Sequence, residues 1–328
     1  MKDAKNMKSS QFNRQIARPM FATALALLLV LPLGTFGQGA AAPDATAKKF
    51  PNPEAAANAL IDAAEKYDVA TLEAIFGPAG KEIVHSGEPA YDKEIAQKFA
   101  AEARTKMELS VDPTTKRRAF ITVGDEDWPF PVPIVKTGTN WSFDSKAGLH
   151  EILLRRIGRN ELDAIEVARG FVEAQHEYAM EKHGNSKVNE YAQRIISTPG
   201  KKDGLAWQNA DGTWGGPVGE NVARAIAKGY TSKTDQPFHG YYFKVLKGQG
   251  AAAPLGQMDY VVNGAMIGGF ALIAVPSEYR VTGVKTFIVS NDGVVYEKDL
   301  GPNTLELAKK IELFNPDKTW SPVEEQGR

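Results

Sequence analysis

The chain is predicted to be an α+β protein in two parts, because its helical and strand patterns come in separate blocks and not in strict alternation. Three observations carry this. Apolar side chains recur at three- and four-residue steps through residues 52–107, residues 119–143 alternate as strands do, and a second helix-then-strand succession follows over 160–298.

Residues 43–49 are small, polar and aperiodic, and are read as a tether. Asn52 then supplies a side-chain acceptor for the free N–H groups of a helix start. Pro53 suits the first helical position, and Ala56, Leu60, Ala63 and Ala64 follow at helical spacing. Asp68 is the expected cap of a second helix, with Leu72, Ile75 and Phe76 on one face and Gly77-Pro78 as its stop. A third helix is predicted over 95–107. Residues 119–123 read as a strand, and 134–136 with 141–143 as a hairpin turning through Gly138. Between them Pro129, Pro131 and Pro133 remove ladder donors from one side, the mark of a protected sheet edge. The first module is therefore placed at 50–148 and the second at 149–328.

The second module opens on a long helix that Asn160 is expected to cap. Glu161 and Asp163 fall in its first turn, and Leu162, Ile165, Ala168, Phe171, Val172, Gln175 and Tyr178 form its stripe. Gly184-Asn185 is its expected end. Another helix is predicted over 188–196, an irregular loop over 205–217 and a short helix over 221–227. Tyr241, Phe243 and Val245 then alternate with Tyr242, Lys244 and Leu246. The run 270–275 is apolar throughout and reads as a central strand buried on both faces. Strands at 284–289 and 294–297 flank Asn291-Asp292-Gly293, residue types that tolerate the positive φ of tight turns. A last helix is expected over 304–313.

Lys2, Lys5, Lys8, Arg14 and Arg18 against the single acid Asp3 precede an apolar run over 20–33, and Ala40-Ala41-Ala42 offers small side chains for cleavage after Ala42. Residues 1–42 are thus read as a signal peptide, and the protein as exported, periplasmic or secreted. The apolar run is shorter than the roughly twenty residues a membrane span needs. No later run reaches that length, so no membrane attachment is expected after cleavage. The chain has no Cys, which excludes disulfides, zinc–thiolate sites and cysteine nucleophiles. Without the leader the formal net charge of −1 becomes about −5, which argues against nucleic acid as a partner.

Complete catalytic signatures are lacking: there is no Gly-x-Ser-x-Gly and no Ser-x-x-Lys. The run 262–269 is glycine-rich but has no Lys at the phosphate-binding position, and reads as a hairpin turn with a bulge. Glu173 and His176 have the three-residue spacing that lets two side chains reach one ion, and His183 lies seven further on. A solvated helix face is the weightier reading of all three, and no metal or other cofactor is expected. Residues 184–190 lack the aspartates of a calcium loop. Trp207, Trp214 and Tyr230 are the leading binding candidates, since planar rings on a glycine-rich loop stack on sugar faces or seat in a partner's pocket. The competing reading has the tryptophans folding back as a lid over the sheet. Lys201, Lys202, Arg224 and Lys228 nearby are balanced by acids.

The order of helices followed by a curved sheet over 50–147 resembles the cystatin-like or nuclear-transport-factor-like (NTF2-like) cone. That likeness implies a small-molecule pocket at the cone mouth, with His85 and Tyr91 as its candidates and a hydrolase or small-ligand-binding protein as the alternative function. Ala174-Gln175, Tyr178, Tyr191-Ala192, Asp203-Gly204-Leu205, Gly240-Tyr241-Tyr242-Phe243, Ala274-Val275-Pro276 and Asp292-Gly293 follow in the order seen in the globular part of type IV pilins and pseudopilins. The chain departs from pilins in placing its apolar run some 120 residues upstream of this helix, ahead of a conventional cleavage site. From Phe50-Pro51-Asn52-Pro53 through Trp128-Pro129-Phe130-Pro131, Arg156-Ile157-Gly158-Arg159 and Tyr260-Val261-Val262-Asn263-Gly264 to Val295-Tyr296-Glu297-Lys298, the chain resembles a bacterial exported family catalogued as domain of unknown function 2950. That resemblance implies export and brings no activity with it. The expected function is a non-catalytic binding or assembly protein of the cell envelope, with an envelope protein or glycan as partner.

Overall fold

The structure is a computed structural model that describes residues 47–184, 186–218 and 237–324. The leader, most of the tether, the helix expected over 221–227, Arg224, Lys228 and Tyr230 lie outside the described residues. The α+β class holds. Two compact units divide the chain between Arg155 and Arg156, inside a helix and not ahead of it.

In the first unit, α1 (Pro53–Lys66) starts where Asn52 accepts the Ala55 N–H at 2.7 Å, and it buries Ala56, Ala57, Leu60 and Ile61. Asp68 caps α2 (Val69–Phe76) through the Thr71 N–H. A single 3₁₀ turn leads to the short α3 (Gly80–Val84). The third expected helix begins earlier than its apolar pattern: α4 (Pro89–Thr105) starts at a proline in the first helical position. It also ends earlier. Met107 begins β1 (Met107–Val111), which pairs antiparallel with β2 (Arg118–Val123) from Met107↔Val123 to Val111↔Ala119. The short β3 (Trp128–Pro129) joins β2 as a side branch, and β4 (Ile134–Thr137) and β5 (Asn140–Phe143) form the expected hairpin, giving the strand order β1-β2-β4-β5. The core between helices and sheet includes an aromatic cluster. Phe76 meets Phe143 edge-on with centroids 5.3 Å apart, and Phe130 lies 4.9 Å from Phe99.

The long helix α5 (Ser145–Tyr178) starts fifteen residues before its expected cap. The reason is local: Asp144 accepts the Ala147 N–H at 3.1 Å and so performs the capping, whereas the Asn160 amide donates to the Thr282 carbonyl at 2.8 Å. The helix also stops before Gly184-Asn185, at Tyr178, whose carbonyl accepts from the His183 ring at 2.8 Å.

In the second unit no helix forms over 188–196. Gln175, fully buried on α5, takes the place of a neighbouring strand: its Oε1 accepts the Ala192 N–H and its Nε2 donates to the Ala192 carbonyl, both at 2.8 Å. Tyr191 bridges to Met266 and Ile196 to Ala206, and the backbone bends between the two over 193–195. The loop expected over 205–217 holds a small hairpin of β6 (Trp207–Gln208) and β7 (Trp214–Gly215).

The main sheet contains β8 (Tyr241–Leu246), and short pairs follow it: β9 (Gly248–Gln249) with β10 (Met258–Asp259), and β11 (Val261–Val262) with β12 (Ala265–Met266). Next come β13 (Ala271–Pro276), β14 (Lys285–Ser290) and β15 (Val295–Asp299), then α6 (Thr304–Lys309), shorter than expected, and β16 (Ser321–Pro322). The order is β16-β15-β14-β13-β8, antiparallel throughout. Every residue of β13 is buried, as its apolar run requires. In the turn after β14 only Gly293, at φ +77°, takes a positive φ. Asp292 instead accepts from the Ser290 hydroxyl and the Val294 N–H.

Candidate functional site

The structure separates the residues that the sequence grouped. Trp207 pairs with Gly215 and Trp214 with Gln208 in the β6–β7 hairpin, so the two indoles point to opposite faces and form no shared platform. Both are half-buried against the core of their unit. Trp207 already has company: the Lys202 ammonium lies 5.0 Å from its ring centre and the His183 ring 5.8 Å away. His183 in turn stacks on Tyr178 at 3.7 Å. The Tyr178 hydroxyl donates to the Lys202 carbonyl at 2.6 Å, and burial raises its pKa above the usual tyrosine range.

Glu173 is exposed on α5, His176 packs its ring against Phe270 and Tyr191, and His183 is off the helix, so the three do not converge. Among the described residues no three His, Asp or Glu side chains are grouped as a metal site. His85 directly follows α3 and sits 2.9 Å from Glu73, while Tyr91 lies in the first turn of α4 and not in a loop. Asp92 accepts the Ser86 N–H with both oxygens, which ties the segment after His85 to that helix start.

A different pair emerges from residues 76 positions apart. Asp163 on α5 and His239 in the turn before β8 meet at 2.5 Å, Oδ2 to Nδ1. The carboxylate is buried, with 5% of its side chain exposed, and the imidazole is 40% exposed. Asp163 Oδ1 is buried and has no hydrogen-bond partner. A buried carboxylate oxygen without a donor costs about 1–3 kcal/mol, so its persistence calls for an explanation.

The backbone around the pair is tightly built. His239 and Gly240 have φ of +48° and +76°, the two positive values that a type I′ turn needs. Phe238 and Tyr241 close it with reciprocal N–H to carbonyl bonds at 2.9 and 3.0 Å. Gly240 is required twice, because a Cβ there would lie 2.6 Å from Asn160 Nδ2 and 2.9 Å from Thr282 Cβ. Ser277 donates its N–H to the Gly240 carbonyl at 2.9 Å, and its hydroxyl lies 3.2 Å from that of Thr282.

One turn along α5 from Asp163 stands Glu166, whose carboxyl is held above the usual range by loss of water and then by the negative charge of Asp163. Glu161 is engaged elsewhere, accepting from the Val284 and Lys285 N–H groups. The arrangement presents an oriented imidazole over a carboxylate with spare acceptor capacity. The sequence places Asp163 in the first turn of a helix and offers no role for His239, since nothing local joins positions so far apart.

Fold and site together define a two-unit α+β protein whose second unit joins one long helix to an antiparallel sheet through a carboxylate–imidazole contact. The chain belongs to the family described as "Protein of unknown function (DUF2950)", whose match covers residues 47–323 and thus both units. No curated protein and no solved structure matches it. Among the described residues no helix is long and apolar enough to cross a membrane.

Proposed function

We propose that the protein is an exported, non-catalytic binding or assembly protein of the cell envelope, and that its second unit receives a ligand or partner group at Asp163 and His239. One observation carries the site: a carboxylate, buried and bonded through one oxygen, keeps its other oxygen unpartnered. A contact serving only to close a turn has no use for a buried charge, because an apolar or amide side chain would avoid the desolvation. The basic stretch, apolar run and small-residue site over 1–42 support export. The long α5 and the five-stranded antiparallel sheet support the pilin-like reading of the second unit, as the helices preceding the sheet support the cone-like reading of the first.

The test has two arms. Cell fractionation with N-terminal sequencing should find the chain beyond the inner membrane and beginning after Ala42; an intact leader in the cytosol defeats the export arm. Chemical cross-linking in the exporting cell should capture a partner or ligand that Asp163→Asn loses, and equal capture by the variant defeats the site.

A second reading places a small-ligand or hydrolytic site in the first unit, and the His85–Glu73 contact favours it. The aromatic core weighs against it, because Phe76, Phe130 and Phe143 occupy the space between helices and sheet. Replacing His85 and Tyr91 with alanine should abolish any ligand binding if it holds.

A further inference from the structure

We propose that the second unit binds a primary ammonium group at Asp163 and Glu166, and that the ligand displaces the imidazole of His239. The inference rests on the binding reading above and names its ligand class.

The first ground is the balance of donors and acceptors. Asp163 offers acceptor sites on both oxygens, yet the imidazole supplies one N–H to Oδ2 and Oδ1 receives none. An ammonium carries three N–H donors and satisfies both oxygens at once.

The second ground is charge. Asp163 and Glu166 are three residues apart, so they are neighbours on one face of α5. The raised pKa of Glu166 has two causes, lost water and the charge of Asp163, and Arg169 offsets them only as the smallest influence. A cation placed between the carboxylates opposes the second cause, the charge of Asp163. The nearby Lys285 is committed to Glu297 at 3.0 Å, and Glu161 to two backbone N–H groups. Among the described residues Asp163, Glu166 and His239 are not grouped as a metal site, whereas an ammonium needs only acceptors in two or three directions.

The third ground is that His239 is removable. It is 40% exposed, and the turn that carries it is closed by backbone bonds between Phe238 and Tyr241 that do not involve the ring. Release of the imidazole also leaves the left-handed residue free of its side-chain restraint.

Pentylamine is the probe and 1-pentanol its uncharged counterpart. Pentylamine should shift the His239 imidazole resonance saturably in a nitrogen–proton correlation spectrum, and pentanol should not. By titration calorimetry, Asp163→Asn should weaken pentylamine binding at least about tenfold. Glu166 is exposed, so Glu166→Gln keeps the fold and should weaken binding about threefold without lowering the melting temperature. His239→Gly preserves the turn and should tighten binding several-fold, the opposite sign from a contact that merely holds structure. An equal response to pentanol, unaltered affinity in Glu166→Gln, or weaker binding in His239→Gly overturns the proposal. If pentylamine does not bind while Asp163→Asn still loses the cross-linked partner, the ligand class falls and the binding reading stands. If the variant loses nothing, both fall.

Discussion

Two turns in the second unit have the same backbone and different purposes. Asn263-Gly264, between β11 and β12, has φ of +52° and +84°, and His239-Gly240, before β8, has +48° and +76°. Asn-Gly is the pair that the type I′ geometry selects, because asparagine tolerates the left-handed region and glycine has no Cβ. Nothing further is needed there, and an added Cβ on Gly264 would meet open space among the described residues. At the other turn a bulkier ring sits in the same left-handed position, over a buried carboxylate and against Phe238 at 4.3 Å. A turn that departs from the cheapest residue does so for a reason outside the turn, and here the reason is Asp163.

The largest expected contrast lies in the glycines. Gly240→Ala forces a Cβ against Asn160 and Thr282 as well as straining the backbone, and should destabilise the protein by about 2–4 kcal/mol. Gly264→Ala meets only the backbone strain, about 1–2 kcal/mol. Urea denaturation midpoints of the two variants should differ clearly. Equal losses would mean that the contacts around Gly240 relax freely.

Next in size is the loss of the acid. Asp163→Ala removes the partner of His239 and leaves a gap beneath it, for an expected cost of about 1–2 kcal/mol, held down by the exposure of the imidazole. Asn263→Ala removes only a favourable turn residue and should cost less than about 1 kcal/mol. His239→Asn makes the two turns alike in sequence. It loses the ring contact and gains a residue better suited to positive φ, so its stability should fall within about 1 kcal/mol of the parent. A larger loss would show that the imidazole holds the turn and not the reverse.

The contrast between the turns also explains what could be read in the sequence. Short-range signals were legible: Asn52 and Asp68 as caps, the β4–β5 hairpin, the Asn263-Gly264 turn and the all-apolar β13 each depend on residues within a few positions. The failures arise where a distant partner overrides a local pattern. A helix is expected over 188–196, but Gln175 and Met266 supply backbone-like partners to Ala192 and Tyr191 that a helix could not meet. Asn160 is a good cap residue that is spent on Thr282 instead, and Met107 leaves its helical pattern to pair with Val123. The Asp163–His239 pair is the extreme case. Its members are 76 residues apart, and only the packing of α5 near the β8 turn brings them together. The placing of the two tryptophans on different faces has a subtler reason: the strand period of two sends Trp207 and Trp214 to opposite sides once their register is fixed.

The smallest effect tests the electrostatics of the site without disturbing its packing. Glu166 is exposed, and its folded-state pKa lies above the ordinary glutamate value because of lost water first and Asp163 second. Below the unfolded-state value both states are protonated and the group is neutral towards folding. As pH rises through the window between the unfolded and folded values, the folded state holds its proton longer and stability falls, and above the folded value the full penalty remains. Glu166→Gln should therefore raise the melting temperature slightly at pH 7, by an amount worth less than about 0.5 kcal/mol, and leave it unchanged at pH 3.5. The double variant Asp163→Asn, Glu166→Gln should accordingly gain less at pH 7 from the second substitution than the parent does, and an equal gain would separate Glu166 from the charge of Asp163.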